Sequence, residues 1–188
     1  MEQKSKITAS QVKKTLKGYD SDVLISIIMD CYKMNDGVKK YLNVMIDPEG
    51  TINELYEGAK DQVLQEFFPK RGEPKLRLAK AKKAIAEFSK LSHDEVRTID
   101  LMIYYVELGV KFIDSYGWDD EHFYNSMASV YANIIKNVHV NSNPGLAMMF
   151  KERMLKIVTA SIDMDWELYD DLINLYSNSD FYEEEDFE

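Results

Sequence analysis

Apolar side chains recur every three or four residues through most of this 188-residue chain, and that spacing restricts its fold more than any other feature. One run shows the pattern clearly: Leu78, Ala81, Ile85 and Phe88 follow one another at +3, +4 and +3, which places them on one face of a helix. With eight glycines and four prolines, the chain has few residues that end helices. The pattern therefore predicts an all-α fold.

About nine segments have this spacing, and none has the alternation typical of a strand. The short loops between them predict antiparallel hairpins, arranged either as a compact helical bundle or as a short irregular helical-repeat stack. The length fits one domain. We place that domain at residues 1–176, followed by an acidic C-terminal tail at residues 177–188 that we expect to fray.

Residues that cap helices predict several helix ends. Thr8 with Gln11, and Ser92 with Glu95, have the spacing of a capping box. Asp119 is expected to cap the helix that follows the turn YGWDD. The fourth helix is expected to begin at about residue 51 and the fifth at about residue 75.

Two further expectations concern the interior of the fold. Cys31 shares one helical face with Leu24, Ile27 and Ile28, which predicts a small core residue rather than a reactive thiol. The sixth helix, VRTIDLMIYYVELGVKFIDSY, is apolar on most of its circumference, so we expect it to be central and packed on several sides. Gly109 in its middle costs about 1 kcal/mol against alanine, which predicts a close approach by the backbone of a neighbour.

Charge is distributed unevenly along the chain. The net charge is −10, yet Asp163–Glu188 holds 11 acids and no lysine or arginine, so the rest of the chain is close to neutral. By contrast, Pro69–Lys90 carries eight basic residues against two acids. Exposed charges interact over only about 8 Å at physiological salt, so the two regions influence each other only if they fold close together.

The basic segment is the strongest functional candidate in the sequence, and three interpretations remain open. It could contact the phosphates of a nucleic acid or another polyanion, or it could be a solvated helix face beside a polar loop. It could also be covered by the acidic residues Glu183–Asp186, in the same molecule or in another copy. The candidate binding residues are Lys70, Arg71, Lys75, Arg77, Lys80 and Lys83.

Catalytic and metal-binding patterns are weak. A pocket around Glu107, His122 and Tyr124 would support an enzyme, but Glu107 is more simply explained as an ion-pair partner of Lys111 one turn on. The three histidines lie in different segments, without a second His or Cys at ligand spacing. We therefore predict no catalytic constellation, no metal and no cofactor.

These observations favour a non-enzymatic helical module that binds a protein partner, either another protein or a second copy of the chain, through the basic segment and the acidic last helix. The alternative is a nucleic-acid-associated protein that uses the basic segment, and an enzyme comes third. We expect no membrane association, because no segment has the roughly 18 consecutive apolar residues of a spanning helix. One cysteine cannot form an internal disulfide, which favours a reducing, cytoplasmic location.

The motifs FFPKRG, MIYYVELGVKF and FYNSM, together with the N-terminal stretch VLISIIMDCYKMNDGVKKYL, resemble an uncharacterised bacterial family, domain of unknown function 6155. The resemblance extends to about Tyr176 and implies an all-helical cytoplasmic protein. It supplies no activity, cofactor or catalytic residue. The loop departs from the family pattern at Glu73 and Pro74.

Overall fold

A computed structural model of the chain describes residues 7–140, 144–164 and 166–187, and these residues contain nine α-helices, one 3₁₀ helix and no strand. The all-α prediction is confirmed. The helices are α1 (Ala9–Leu16), α2 (Ser21–Met34), α3 (Asp36–Ile46), α4 (Pro48–Phe67), α5 (Leu78–Ser92), α6 (Glu95–Tyr116), α7 (Glu121–Val140), α8 (Pro144–Ala160), α9 (Trp166–Ser177) and the 3₁₀ helix Glu184–Phe187. The chain divides within α4 into two compact units, an N-terminal unit up to Thr51 and a C-terminal unit from Ile52. The single domain at residues 1–176 stays a prediction.

The N-terminal unit is built from helices with well-defined starts. The capping box predicted at α1 is confirmed, since the Gln11 N–H donates to Thr8 Oγ1 at 3.3 Å and the Thr8 N–H donates to Gln11 Oε1 at 2.8 Å. At α2 the carboxylate of Asp20 accepts from the Val23 N–H at 2.9 Å. α2 packs against α3, yet no residue of α1, α2 or α3 is buried.

The C-terminal unit is organised around α6. This helix contacts α5, α7 and α8, and eleven of its residues are buried, so the predicted central position is confirmed. Gly109 permits the close packing of α7, because a Cβ at this position would collide with the Sδ of Met127 and lie 3.1 Å from its Cγ. The predicted approach by a neighbouring backbone is wrong, because the atoms nearest to Gly109 belong to the side chain of Met127.

Aromatic rings fill the core where α4, α6 and α7 meet. The ring of Phe67 is fully buried and meets Tyr105 edge-to-face at 5.3 Å between centroids and Phe123 at 6.0 Å. Such contacts contribute about 0.5–1.5 kcal/mol each beyond the burial of their area. They hold the C-terminal end of α4 against the central helix.

The predicted capping of α6 by Ser92 is wrong. Ser92 is still the last residue of α5, and His93 takes a left-handed conformation with φ 51° before the chain turns. Asp94 is then the first residue that can cap α6, and its carboxylate accepts from the Arg97 N–H at 2.9 Å. The Ser92 hydroxyl accepts from the Asp94 N–H instead, at 3.0 Å.

Other helix ends also differ from the predictions. α4 begins at Pro48, earlier than expected, because proline suits the first position of a helix. α5 begins only at Leu78, since the Leu76 N–H donates to the Glu66 carbonyl at 3.0 Å and Leu76 takes a left-handed conformation with φ 47°, which does not continue into a helix. At α7, Asp120 rather than Asp119 accepts from the Phe123 N–H, at 2.7 Å.

Candidate interaction surfaces

Two of the predicted binding cations, Arg77 and Lys80, are engaged by a buried carboxylate. Arg77 donates from Nε to Glu66 Oε2 at 2.9 Å and from Nη2 to Oε1 at 2.8 Å, and Lys80 Nζ lies 3.2 Å from Oε1. The Glu66 side chain is 1% exposed. The hydrogen bonds from Arg77, against the opposing effect of burial and with help from Lys80, lower the pKa of Glu66. These cations tie the start of α5 to the end of α4.

The remaining candidate cations are exposed. Lys70 pairs with Asp61 at 3.4 Å and Lys83 with Glu87 at 3.6 Å, both between solvent-exposed side chains, which contributes little to stability. In the described part of the chain, Arg71 and Lys75 have no carboxylate partner. The basic segment is therefore divided into a structural part and a small group of free cations.

Sequence reasoning missed a groove next to this segment. It encloses about 380 Å³ between α5, α6 and α7, with Ile85, Met102 and Val130 along its apolar part and Lys82 and Lys90 at its edge. The two lysines stand eight residues apart on α5. None of the six candidate cations lines this groove, and its floor comes from α6 and α7, which are distant from the basic segment in the sequence.

The sequence suggested that the acidic C-terminal tail frays, but in the structure the tail folds back onto the C-terminal unit. Tyr176 is fully buried, and its hydroxyl donates to Asp186 Oδ2 at 3.0 Å. Lys151 on α8 pairs with Asp186 at 2.8 Å and with Glu183 at 2.6 Å. Within one molecule these two acids thus meet Lys151 rather than the basic segment. Three tail rings pack edge-to-face on Tyr176: Phe181, Tyr182 and Phe187.

The predicted pocket residues separate. Tyr124 lines a cavity of about 460 Å³ with Asp114 and Trp118, and its hydroxyl donates to the Trp118 carbonyl at 3.0 Å. Neither Glu107 nor His122 lines that cavity, and His122 is exposed. The three side chains therefore do not form one pocket there.

Glu107 belongs instead to a charged cluster centred on Arg153 of α8. The expected pair with Lys111 is wrong: Glu107 accepts two hydrogen bonds from Arg153, while Lys111 Nζ lies 5.4 Å from the centre of the Phe68 ring. Arg153 also donates to Asp100. The hydrogen bonds to Glu107, partly offset by burial and supported by Asp100, raise the pKa of the Arg153 guanidinium.

The phenol of Tyr56 completes this cluster from α4 by donating to Asp100. Burial, followed by the hydrogen bond to Asp100, raises the pKa of Tyr56. No buried side-chain polar atom among the described residues lacks a hydrogen-bond partner. The arrangement links α4, α6 and α8, and its satisfied hydrogen bonds are typical of a structural network.

The N-terminal unit has the most extensive exposed apolar surface. Cys31 was predicted to lie in the core and is exposed, and Ile27 and Ile28 on the same helical face are 37% and 47% exposed. The prediction is wrong because helical spacing identifies an apolar face without identifying what covers it. Beside this face, Val12, Leu16 and Leu24 line an apolar groove of about 600 Å³ between α1 and α2.

The described residues contain no group of three or more His, Cys, Asp or Glu side chains that could hold a metal ion; the side chain of His139 lies outside them. No helix among those residues is both long enough and apolar enough to cross a membrane.

Comparison with known proteins gives one match. Residues 7–180 match the model of a family described as a family of unknown function, DUF6155. No curated protein and no solved structure matches the chain.

Proposed function

The chain belongs to the family of unknown function DUF6155, and we propose that it acts without catalysis, as a helical module that binds a protein partner through its N-terminal unit. The proposal moves the binding surface away from the basic segment, because Arg77 and Lys80 are already engaged by Glu66. The family itself brings no activity that argues for or against this.

One observation carries the proposal. Of the 19 large hydrophobic residues that are exposed among the described residues, 12 lie before residue 47. Exposed apolar side chains are thus concentrated in the N-terminal unit, and large exposed apolar patches mark sites of protein–protein interaction. The twelve are Ile7, Val12, Tyr19, Val23, Ile25, Ile27, Ile28, Met29, Met34, Tyr41, Met45 and Ile46.

The state of the candidate catalytic residues supports a role without catalysis. Glu107 is held by Arg153 through two hydrogen bonds, so its carboxylate is committed to an ion pair. His122 and Tyr124 lie apart from it, and Tyr124 bonds a backbone carbonyl. A general acid or base needs a substrate proton within hydrogen-bond reach, and these groups do not converge on one.

The test compares two double variants of the full-length protein. Ile28→Ser with Met45→Ser alters the N-terminal unit, and Met148→Ser with Met149→Ser alters equally exposed apolar side chains on α8. The wild type and both variants are used to capture proteins from the host. Every captured protein is purified, and its affinity for each of the three is measured. We expect the α8 variant to bind like the wild type and the N-terminal variant to lose at least about tenfold in affinity, about 1.4 kcal/mol. Equal binding by both variants would refute the proposal.

A second candidate function is polyanion binding, and the free cations Arg71 and Lys75 favour it. It is tested by fluorescence anisotropy with mixed-sequence DNA and RNA between about 20 and 200 mM salt, since phosphate contacts weaken steeply over this range. Arg71→Gln with Lys75→Gln should reduce the affinity and its salt dependence, whereas Lys13→Gln with Lys14→Gln should change neither. Absence of binding at the lowest salt would reject this function.

We also propose a cytoplasmic location in a bacterial cell. The single cysteine, Cys31, is free and exposed, which suits a compartment that keeps thiols reduced. Fractionation of the host cell with an antibody against the native protein tests this. Recovery with the extracellular or membrane fraction would contradict it.

A further inference from the structure

We infer that the protein partner is a second copy of this chain, and that α2 and α3 of two copies pair into a four-helix arrangement. This inference rests on the proposed function and specifies its partner. Three features favour a second copy: the apolar circumference of α2, the exposed apolar area of the hairpin of α2 and α3, and the distribution of charge between the two units.

α2 is apolar around most of its circumference. Apart from Ser21 at its first position and the phenol of Tyr32, its charged and hydroxyl side chains Asp22, Ser26, Asp30 and Lys33 follow one another at +4, +4 and +3, so they occupy one narrow seam. A helix with so little polar surface is typical of a position with neighbours on several sides. α3 covers only part of the remainder, because the apolar residues on either side of the seam are still exposed: Val23, Ile25, Ile27, Ile28 and Met29.

The hairpin of α2 and α3 is fixed well enough to present this surface as a unit. Tyr32 on α2 donates its hydroxyl proton to Asn43 Oδ1 on α3 at 3.1 Å. Leu24, Val38 and Leu42 are partly buried. α3 then adds three exposed apolar side chains of its own: Tyr41, Met45 and Ile46.

The exposed apolar area is large enough for part of it to form an interface. Nine large apolar side chains between Val23 and Ile46 are 37–85% exposed. Together they leave on the order of 900 Å² in contact with solvent, against the about 800 Å² that each partner buries in a standard protein–protein interface. Because these side chains lie on both sides of the polar seam, a partner on one side buries only part of that area, and two paired hairpins produce the helix number of a common bundle.

Charge favours a second copy at this surface. The net charge of −10 comes almost entirely from Asp163–Glu188, so two copies repel one another where these acidic segments meet. Residues 7–51, however, contain six lysines and six carboxylates, and α2 with α3 contains three of each. Two N-terminal units can therefore approach without net repulsion. A symmetric pair built this way uses the same residues on both sides and closes without forming a fibre.

The first experiment measures the mass of the full-length protein by sedimentation equilibrium between about 1 and 100 µM, a range that brackets a micromolar dimer. We expect a dimer for the wild type and for Met148→Ser with Met149→Ser, and a monomer for Ile28→Ser with Met45→Ser. Circular dichroism confirms that each variant is folded, which is expected because all four side chains are exposed. A wild type that stays monomeric throughout, or an N-terminal variant that still dimerises, would overturn the inference.

The second experiment needs no substitution, because Cys31 is the only cysteine and lies on α2. A thiol reagent should modify it about tenfold more slowly once nine-tenths of the chains are paired, since the reagent then reacts with the free fraction. A rate that is the same at concentrations where the protein sediments as a monomer and where it sediments as a dimer would overturn the inference. If the wild type is a monomer, and the N-terminal variant still binds a captured protein more weakly than the wild type does, this inference is refuted and the proposed function stands.

Discussion

The guanidinium of Arg153 on α8 and the carboxylate of Glu107 on α6 face each other in a two-bond fork, with Nε 2.7 Å from Oε1 and Nη2 2.8 Å from Oε2. The two residues are 46 positions apart in the sequence. Arg153 is 32% exposed and also donates to Asp100, so one cation holds two carboxylates of the central helix. This bidentate geometry is the strong form of a charge-assisted hydrogen bond.

Replacing Arg153 with methionine should lower the free energy of unfolding by about 2 kcal/mol. The change leaves Asp100 and Glu107 near each other without a cation, but both are partly exposed, so the loss falls below the 3–5 kcal/mol of a fully buried pair. Urea unfolding at pH 7 measures it. Lys156→Met is the matched control on α8, because its pair with Glu152 is exposed on both sides and should not shift the midpoint. Equal shifts in the two variants would contradict this account.

Glu66 gives a prediction about pH. Its pKa is lowered in the folded chain, chiefly by hydrogen bonds from Arg77. A carboxylate of this kind stabilises the fold fully above its unfolded pKa of about 4.3, and the contribution is lost as pH falls through the lower folded value. Glu66→Gln should therefore cost about 1–2 kcal/mol at pH 7, and its deficit against the wild type should shrink below about pH 4.

Urea midpoints at a series of pH values from 3 to 7 would show this convergence. Glu87→Gln serves as the control, since Glu87 pairs with Lys83 at an exposed position and no stability difference is expected at any pH. A deficit for Glu66→Gln that stays constant across the series would show that the carboxylate contributes through packing rather than through charge.

The sequence predicted the parts of this fold that depend on local spacing. The apolar circumference of α6 correctly indicated a central helix, and two of its polar residues, Asp100 and Glu107, form the charged cluster. Their partner Arg153 was not predictable, because pairing across 46 residues depends on how α8 packs. The predicted ion pair between Glu107 and Lys111 does not form, because an exposed pair one turn apart contributes only about 0.2–0.5 kcal/mol.

The two largest errors concern the ends of the chain. Periodicity in α2 indicated an apolar face that includes Cys31, but it contained no information on whether the same chain covers that face. At the C-terminus, the run of acids suggested fraying, but the rings of Phe181 and Phe187 in the same segment pack on Tyr176. A charged segment that also contains aromatic residues has apolar area to bury, and this signal was present in the sequence.

Gly109 provides a test of close packing in the core. Gly109→Ala gains about 1 kcal/mol of helix propensity, but its new Cβ collides with the fully buried Met127, and overpacking costs about 1–3 kcal/mol. We expect a net loss of about 1 kcal/mol in thermal or urea unfolding. In a Met127→Ala background the same change should become stabilising, because the sulfur is gone and the methyl group partly fills the space. Additive effects in this double-mutant cycle would refute the contact.

Removal of residues 178–188 tests whether the folded tail supports the C-terminal unit. The truncation uncovers the buried Tyr176, deletes the three rings that pack on it and leaves Lys151 without Asp186. Edge-to-face contacts contribute about 0.5–1.5 kcal/mol each, so we expect a loss of about 2–3 kcal/mol, measured as a lower urea midpoint. Glu184→Gln with Glu185→Gln removes two tail charges at exposed positions and should leave the midpoint unchanged. If truncation and charge removal alter stability equally, the rings do not pack as described and the tail acts only through its charge.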